Sequence, residues 1–436
     1  MTEPDIDPDV PLRPLTPFQQ GMIAFASVAM GAGMTINFVV VAPLARKAGL
    51  TETQVAGILT LSALIYALMI PQWGRWADRF GRKRVMVFSL MAMGFTNMAF
   101  LFALEAALAG MITGLTMFFT LVFVRVWFGL LSPGLQPASM AAMTDATTPK
   151  TRAAGLGMLG AAMSIGSIIG PAGATVLAPF GALVPLWGSI VFNVTCGILI
   201  AFALPKSRST RQSAQRPTPL AMRDPRVLPH LMFLFTYFVG VGMIQQTLGW
   251  FIEDREYANI FAENPLSIRL GVGAFSFSFV IDDIAEGVVL FTGIAFACLA
   301  VMMVIVQFGY VQPRKPDPRR MLPVGLFLVA IGYVLANLLM PFWAICIAFL
   351  IVGGGAALAV PAANALGSLS VERREQGSAA ALLAAAPPAG FIFGPLIGAT
   401  LYQVSAALPL YLSAVLMTAL GAYAALVVAR RPLGGG

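Results

Sequence analysis

Charge is what this chain has least of: Asp, Glu, Lys and Arg make up 11% of its 436 residues, against roughly 25% in soluble proteins. That excludes an ordinary soluble domain. The chain has one histidine, His230, and three cysteines, Cys196, Cys298 and Cys346, each inside an apolar stretch and none in a C-x-x-C spacing. A zinc or disulfide framework is therefore excluded, and the cysteines read as small buried hydrophobes. No G-x-x-x-x-G-K-[ST] loop occurs, so the chain cannot be a self-contained ATP-driven pump. Ten-residue alternating strands are missing too, which excludes a membrane β-barrel. The first fifteen residues are acidic and proline-rich where a cleavable signal peptide would be basic and apolar, and they read as a cytoplasmic tail without regular structure.

What is there instead is hydrophobicity, 58% of all residues. At roughly 20 residues per bilayer crossing plus short loops, the chain has room for about twelve helices. Apolar runs bounded by charge, Pro or Gly give spans at 18–45, 54–74, 84–104, 110–143, 153–177 and 184–204, then 227–252, 286–309, 321–339, 342–368, 377–403 and 407–429. With the amino terminus inside, 22 of the 27 Lys and Arg residues fall in cytoplasmic segments; Arg46, Lys47, Arg255 and Arg269 fall outside and Arg125 within a helix. This asymmetry predicts a multi-pass inner-membrane protein with both termini cytoplasmic. It also gives the net charge of +8 a topological role in place of nucleic-acid binding.

A shift of 224 residues aligns Gly129 with Gly353, Pro137 with Pro361, Ala138 with Ala362, Ala141 with Ala365, Gly170 with Gly394 and Pro171 with Pro395. The fold expected is all-α, twelve transmembrane helices in two pseudo-symmetric six-helix bundles, with a site near the midplane where the halves meet. The division predicted is a tail at 1–17, a first bundle at 18–204, a polar basic linker at 205–226 and a second bundle at 227–436 with an extended outer loop at 253–285. Within that loop, the Phe/Gly/Ser-rich part of 257–281 suggests an interfacial hairpin or helix; disorder is the alternative, against which Phe275, Phe277 and Phe279 argue.

Between the second and third spans, Gly74, Asp78, Arg79, Gly81, Arg82, Lys83 and Arg84 form a compact charged hinge. They match the pattern G-x-x-x-D-R-x-G-R-K/R-x, and Arg125, Gly129, Pro137, Asp145 and Arg152 match a fourth-helix pattern R-x-x-x-G followed by P, D and R. On these motifs the chain resembles the major facilitator superfamily over essentially its whole length. The resemblance implies that Gly74, Asp78, Arg79, Gly81, Arg82 and Lys83 form a conformational latch. It also implies that Arg125, with Asp145 and Arg152, serves proton coupling. Burying a guanidinium mid-helix costs about 2.5 kcal/mol or more, which by itself marks Arg125 as functional or as bonded to backbone carbonyls. The matching second-half loop, 309–320, keeps cations and lacks the D-R-x-G core.

Gly166, Gly170, Pro171 and Gly173 resemble the fifth-helix signature of drug:proton antiporters, although the last glycine falls two residues after the proline. Gly390, Gly394, Pro395 and Gly398 repeat the idea, which equally suits two helix-packing seams. Polar residues inside spans are cavity candidates: Asn37, Asn97, Gln136, Asn193, Gln245, Gln246, Asn337, Asn364, Tyr402 and Gln403. No span of the first half has an acid near its centre, so coupling would use Arg125 with a remote acid, or Glu286 among the acids flanking the outer loop. The expectation is a monomeric transporter, not an enzyme. It needs no cofactor, sits among membrane lipids and exchanges protons for a small, amphipathic organic solute; uptake of a metabolite or metal chelate, and a non-transporting sensor, are the alternatives.

Overall fold

A computed structural model describes residues 15–148, 151–205, 221, 223–257, 259, 266–272, 275–281, 283–372, 375, 379, 382–383 and 385–428. Side chains of 152–154, 161, 164, 168, 266–272, 275–281 and 427–428 fall outside that description. Most of the predicted tail (1–14) and linker (206–220) also lies outside the described residues.

The elements are α1 (Pro17–Lys47), α2 (Glu52–Phe80), α3 (Arg82–Leu108), α4 (Gly114–Leu131), α5 (Leu135–Ala146), α6 (Arg152–Leu177), α7 (Val184–Ala203) and α8 (Leu228–Asp254). An antiparallel hairpin follows, β1 (Leu266–Val272) with β2 (Phe275–Ile281), pairing Leu266 with Ile281 and Val272 with Phe275. The chain closes with α9 (Ile284–Val306), α10 (Pro318–Leu338), α11 (Phe342–Leu369), α12 (Ala386–Val404) and α13 (Leu408–Tyr423). Among the described residues, eleven helices, α4 and α5 taken as one, are long and apolar enough to cross a membrane. The remaining one in the series is α12, with 19 residues.

Local chemistry sets the helix ends. Thr16 caps α1 through a reciprocal box with Gln19, and Pro17 opens the first turn. Asp283 and Asp317 cap α9 and α10, accepting from the Ala285 and Arg319 amides at 2.9 and 3.0 Å. The hairpin gives the long loop between α8 and α9 its own hydrogen-bonded structure.

Two expectations are corrected. The fourth span, read as continuous over 110–143, is interrupted at Ser132–Gly134. Pro133 has no N–H to give the Gly129 carbonyl, the regular ladder stops there, and the neighbouring Leu130 carbonyl is taken by the Trp73 indole at 2.8 Å. The charged hinge is also shorter than read. Nothing between Gly74 and Phe80 breaks a helix, so α2 runs on through Asp78 and Arg79. Only Gly81 is non-helical, at φ +94°, a region that favours glycine.

The chain divides into two compact units, one of Met1–Gly49 with Leu61–Gln212, the other of Leu50–Thr60 with Ser213–Gly436. The sequence division had left residues 50–60 with the first bundle. In the first unit the core is an apolar cluster in which Ile23 and Met30 of α1, Met86 and Met93 of α3, Leu135 of α5 and Ile200 of α7 are buried. The repeat reappears as small-residue seams. A methyl group added at Gly166 would overlap the Val28 carbonyl of α1, and one at Gly170 would lie 2.7 Å from the Ala32 oxygen. In the second unit, Gly390 and Gly394 press on α8 in the same way: an added methyl would lie 2.6 Å from Phe238 Cβ at the first and 2.6 Å from the Val239 oxygen at the second. A carbon added at Gly173 meets nothing within 4 Å among the described residues, so this glycine sits off the seam, whereas one added at Gly398 would lie 2.8 Å from Met243 Cα.

Candidate functional site

Arg125 is the centre of a buried polar cluster in the first unit. It is 3% exposed on α4, and its Nη2 donates to Asn37 Oδ1 of α1 at 2.9 Å. Nη1 reaches Asn97 Oδ1 of α3 at 3.5 Å, a long bond. The Phe100 ring lies under the guanidinium with its centroid 3.8 Å from Cζ, and Phe128 borders it at 5.5 Å. Asn37 is held in place from behind, since its amide donates to the Gly33 carbonyl at 2.6 Å. From α2, the Ser62 hydroxyl donates to the Arg125 carbonyl at 2.9 Å. Among the described residues every partner of the charge is thus neutral: two amide oxygens and two aromatic rings.

A second cluster sits at the α2–α3 turn. Arg82 lies 3.1 Å from Asp78 and 3.1 Å from Asp145, in the last turn of α5. The arginine and Asp145 side chains are 11% and 17% exposed and Asp78 is 65% exposed, so the two pairs differ greatly in solvent screening. Lys83 donates to the Leu204 carbonyl just beyond α7, where a cation suits the helix C-terminus. Arg79 lies over the Phe80 ring, and Gly74 faces Pro137 of α5, with 3.8 Å left for an added methyl. Arg152 opens α6; its side chain lies outside the described residues.

The second unit carries its own polar groups. Tyr402 of α12 donates to Asp254 Oδ2 at 2.6 Å and packs on Trp250, with centroids 5.7 Å apart. Arg255, over Phe251, donates to the Asn337 and Leu339 carbonyls at the end of α10. Gln246 is 1% exposed, and among the described residues neither its Oε1 nor that of Gln245 has a hydrogen-bond partner. Asn337 is buried, while Asn364 is exposed and bonds back to the Val360 carbonyl at 3.0 Å. Glu286 stands in the first turn of α9. In the first unit, Gln136 is half-buried on α5, and Asn193 of α7 is fully buried, bonded to the Ser189 carbonyl at 2.8 Å.

Arg226, just before α8, grips two acids. Its guanidinium meets Asp224 at 2.8 and 3.1 Å and Glu375, in the α11–α12 connection, at 2.8 and 3.0 Å. These hydrogen bonds hold both carboxyls below their usual range. A carboxyl lowered by folding stabilises the folded state above its unfolded pKa, about 4, and loses that contribution as pH falls through the lowered value. The melting temperature of Arg226→Ala is accordingly expected to fall below wild type near neutral pH, and the gap to close below about pH 4 or in high salt. A gap independent of pH and salt would show that the contacts are not electrostatic.

The chain matches the family model described as Major Facilitator Superfamily over residues 22–314 and 308–435. It belongs to the Major Facilitator Superfamily. Over 376 residues it is 24% identical to Multidrug resistance protein 2 of Bacillus subtilis (strain 168), covering 83% of this chain and 85% of the relative. It is 26% identical over 366 residues to the class C Tetracycline resistance protein of Escherichia coli, at 80% of each chain. A solved bacterial homologue of the human lysosomal transporter Spinster, in an inward-facing and occupied conformation, superposes with a TM-score of 0.66 at 15% identity, covering 93% of this chain and 95% of the other. The chain is therefore a multi-pass membrane protein of a transporter family.

Within this superfamily fold, the structure brings together Arg125, Asn37 and Asn97, and separately Asp78, Arg82 and Asp145. Asp145 and Arg125 are not paired. Sequence reasoning missed Phe100, Phe128 and Ser62, ordinary residues whose role comes only from packing around Arg125. It also missed the Arg226–Glu375 pair, 149 residues apart.

Proposed function

We propose that this protein is a secondary active transporter that carries a small amphipathic organic solute outward by alternating access, in exchange for protons. It works as a monomer in an inner membrane with both termini cytoplasmic, its orientation supported by the Lys/Arg asymmetry. The observation that carries the reading is the buried guanidinium of Arg125, set mid-helix among neutral partners. Such a charge is costly in a membrane and is kept where a pathway or coupling step uses it. The similarity to multidrug and tetracycline resistance proteins supports outward movement of organic solutes. A proton gradient is the energy source consistent with a chain that has no phosphate-binding loop.

The test is transport of ethidium and tetracycline in proteoliposomes bearing an imposed pH gradient. Accumulation that collapses with a protonophore is the expected result, and accumulation unaffected by the protonophore removes proton exchange from the mechanism. Arg125→Ala is expected to lower the rate by roughly a hundredfold, on the scale of removing a preorganised charge, with normal membrane insertion.

A further inference from the structure

We infer that Arg125 reads negative charge on the cargo, taking a carboxylate carried by an amphipathic substrate; this rests on the transporter reading above. A guanidinium offers five N–H donors and keeps its proton in proteins. Two acceptors reach it, Asn37 Oδ1 at 2.9 Å and Asn97 Oδ1 at the long distance of 3.5 Å. Its Nε is buried and has no partner. Among the described residues neither a carboxylate nor a backbone carbonyl accepts from it, so it is not the structural arginine that ties up loose carbonyls.

The deficit is one of acceptors and of negative charge. Asn37 cannot supply the charge, and the bond from its amide to the Gly33 carbonyl fixes its oxygen toward Arg125. Phe100 covers one face of the guanidinium at 3.8 Å, carboxylates bind arginine in its plane through two parallel hydrogen bonds, and of the in-plane donors Nε has no partner among the described residues. A second buried donor nearby also lacks an acceptor: the Tyr66 hydroxyl. Its ring stacks on Phe128 with centroids 6.2 Å apart, and Phe128 borders Arg125 on α4. A carboxylate brings two oxygens and about four lone-pair sites to such a place. A monoanion cancels the single positive charge, whereas a dianionic phosphate would leave a net negative charge in a low-dielectric setting. The apolar rings suit the hydrophobic body of such an acid.

Full-length protein in lipid nanodiscs would be titrated with 2-naphthoate and with 2-naphthamide, which share an apolar body and differ in charge. Wild type is expected to prefer the carboxylate by roughly tenfold or more, the scale of a charge-assisted pair. Arg125→Gln should bring that ratio close to one. Asn37→Asp, which keeps the arginine and places an internal carboxylate beside it, should collapse the ratio as well. It covers the case in which Arg125→Gln does not fold. Equal affinities in wild type, a ratio unchanged in Asn37→Asp, or binding of ethidium without naphthoate would each overturn the assignment and leave the transporter reading intact. Selective naphthoate binding by a protein that moves neither naphthoate nor ethidium in proteoliposomes would instead keep the subsite and remove the transporter reading.

Discussion

Leucine in place of Gly166 is expected to yield almost no folded, monodisperse protein, while leucine at Gly157 or Gly173 on the same helix is expected to be tolerated. At Gly166 the first carbon of any side chain overlaps the Val28 carbonyl and lies 2.9 Å from the Val28 carbonyl carbon and 3.0 Å from the Ala32 amide. All three are backbone atoms of α1, which cannot swing aside as a side-chain tip can. The helices must separate instead, and overpacking costs typically about 1–3 kcal/mol even where side chains can adjust. Here the separation also strips van der Waals contact from a whole seam, and such contact holds helices together where lipid offers no hydrophobic gain. A carbon added at Gly157 or Gly173 meets nothing within 4 Å among the described residues. Fluorescence-detected size exclusion of the three variants would read the outcome. Equal yields would mean that α6 and α1 do not depend on this close approach.

Helices in a bilayer are written as unbroken apolar runs, so most spans were legible to within a few residues. The exceptions have physical causes. Proline does not by itself mark a break in this chain, because Pro71, Pro171 and Pro395 lie inside continuous helices. At 132–134 a proline is followed directly by glycine, and the indole of Trp73 stands ready for the carbonyl that the break exposes. No window of local sequence contains that tryptophan. The site was legible to the same degree. A lone arginine in an apolar helix announces itself, and Asn37 and Asn97 stand out as polar residues in apolar spans. Which of the many buried amides face Arg125 depends on helix rotation and register, and the aromatic floor under the guanidinium is indistinguishable in sequence from any other lipid-span phenylalanine. The β-hairpin of 266–272 with 275–281 is one of the forms that a Phe/Gly/Ser-rich composition allows, and only strand pairing decides among them.

The charged turn separates anchoring from switching, and its residues should fail differently. Asp78 is 65% exposed and its pairing with Arg82 is screened by solvent, so Asp78→Asn is expected to change stability by about 0.5 kcal/mol or less. Arg82 and Asp145 are largely shielded at 3.1 Å and join the start of α3 to the end of α5. Their loss in Arg82→Ala is expected to cost about 2 kcal/mol, between the surface and buried limits for ion pairs. Arg82→Lys should recover part of that stability, because the charge returns without the planar fork. Transport is expected to divide along another line, with both Asp78→Asn and Arg82→Ala slowing solute movement by roughly tenfold or more, a barrier increase of about 1.4 kcal/mol. Cations alone would have satisfied membrane topology. An Asp78→Asn protein that melts like wild type and transports slowly would point to a conformation in which Asp78 is less exposed than the 65% seen here. Thermal melts and proteoliposome rates measured on the same preparations would decide the matter. An Asp78→Asn protein that melts and transports like wild type would return this turn to a purely anchoring role.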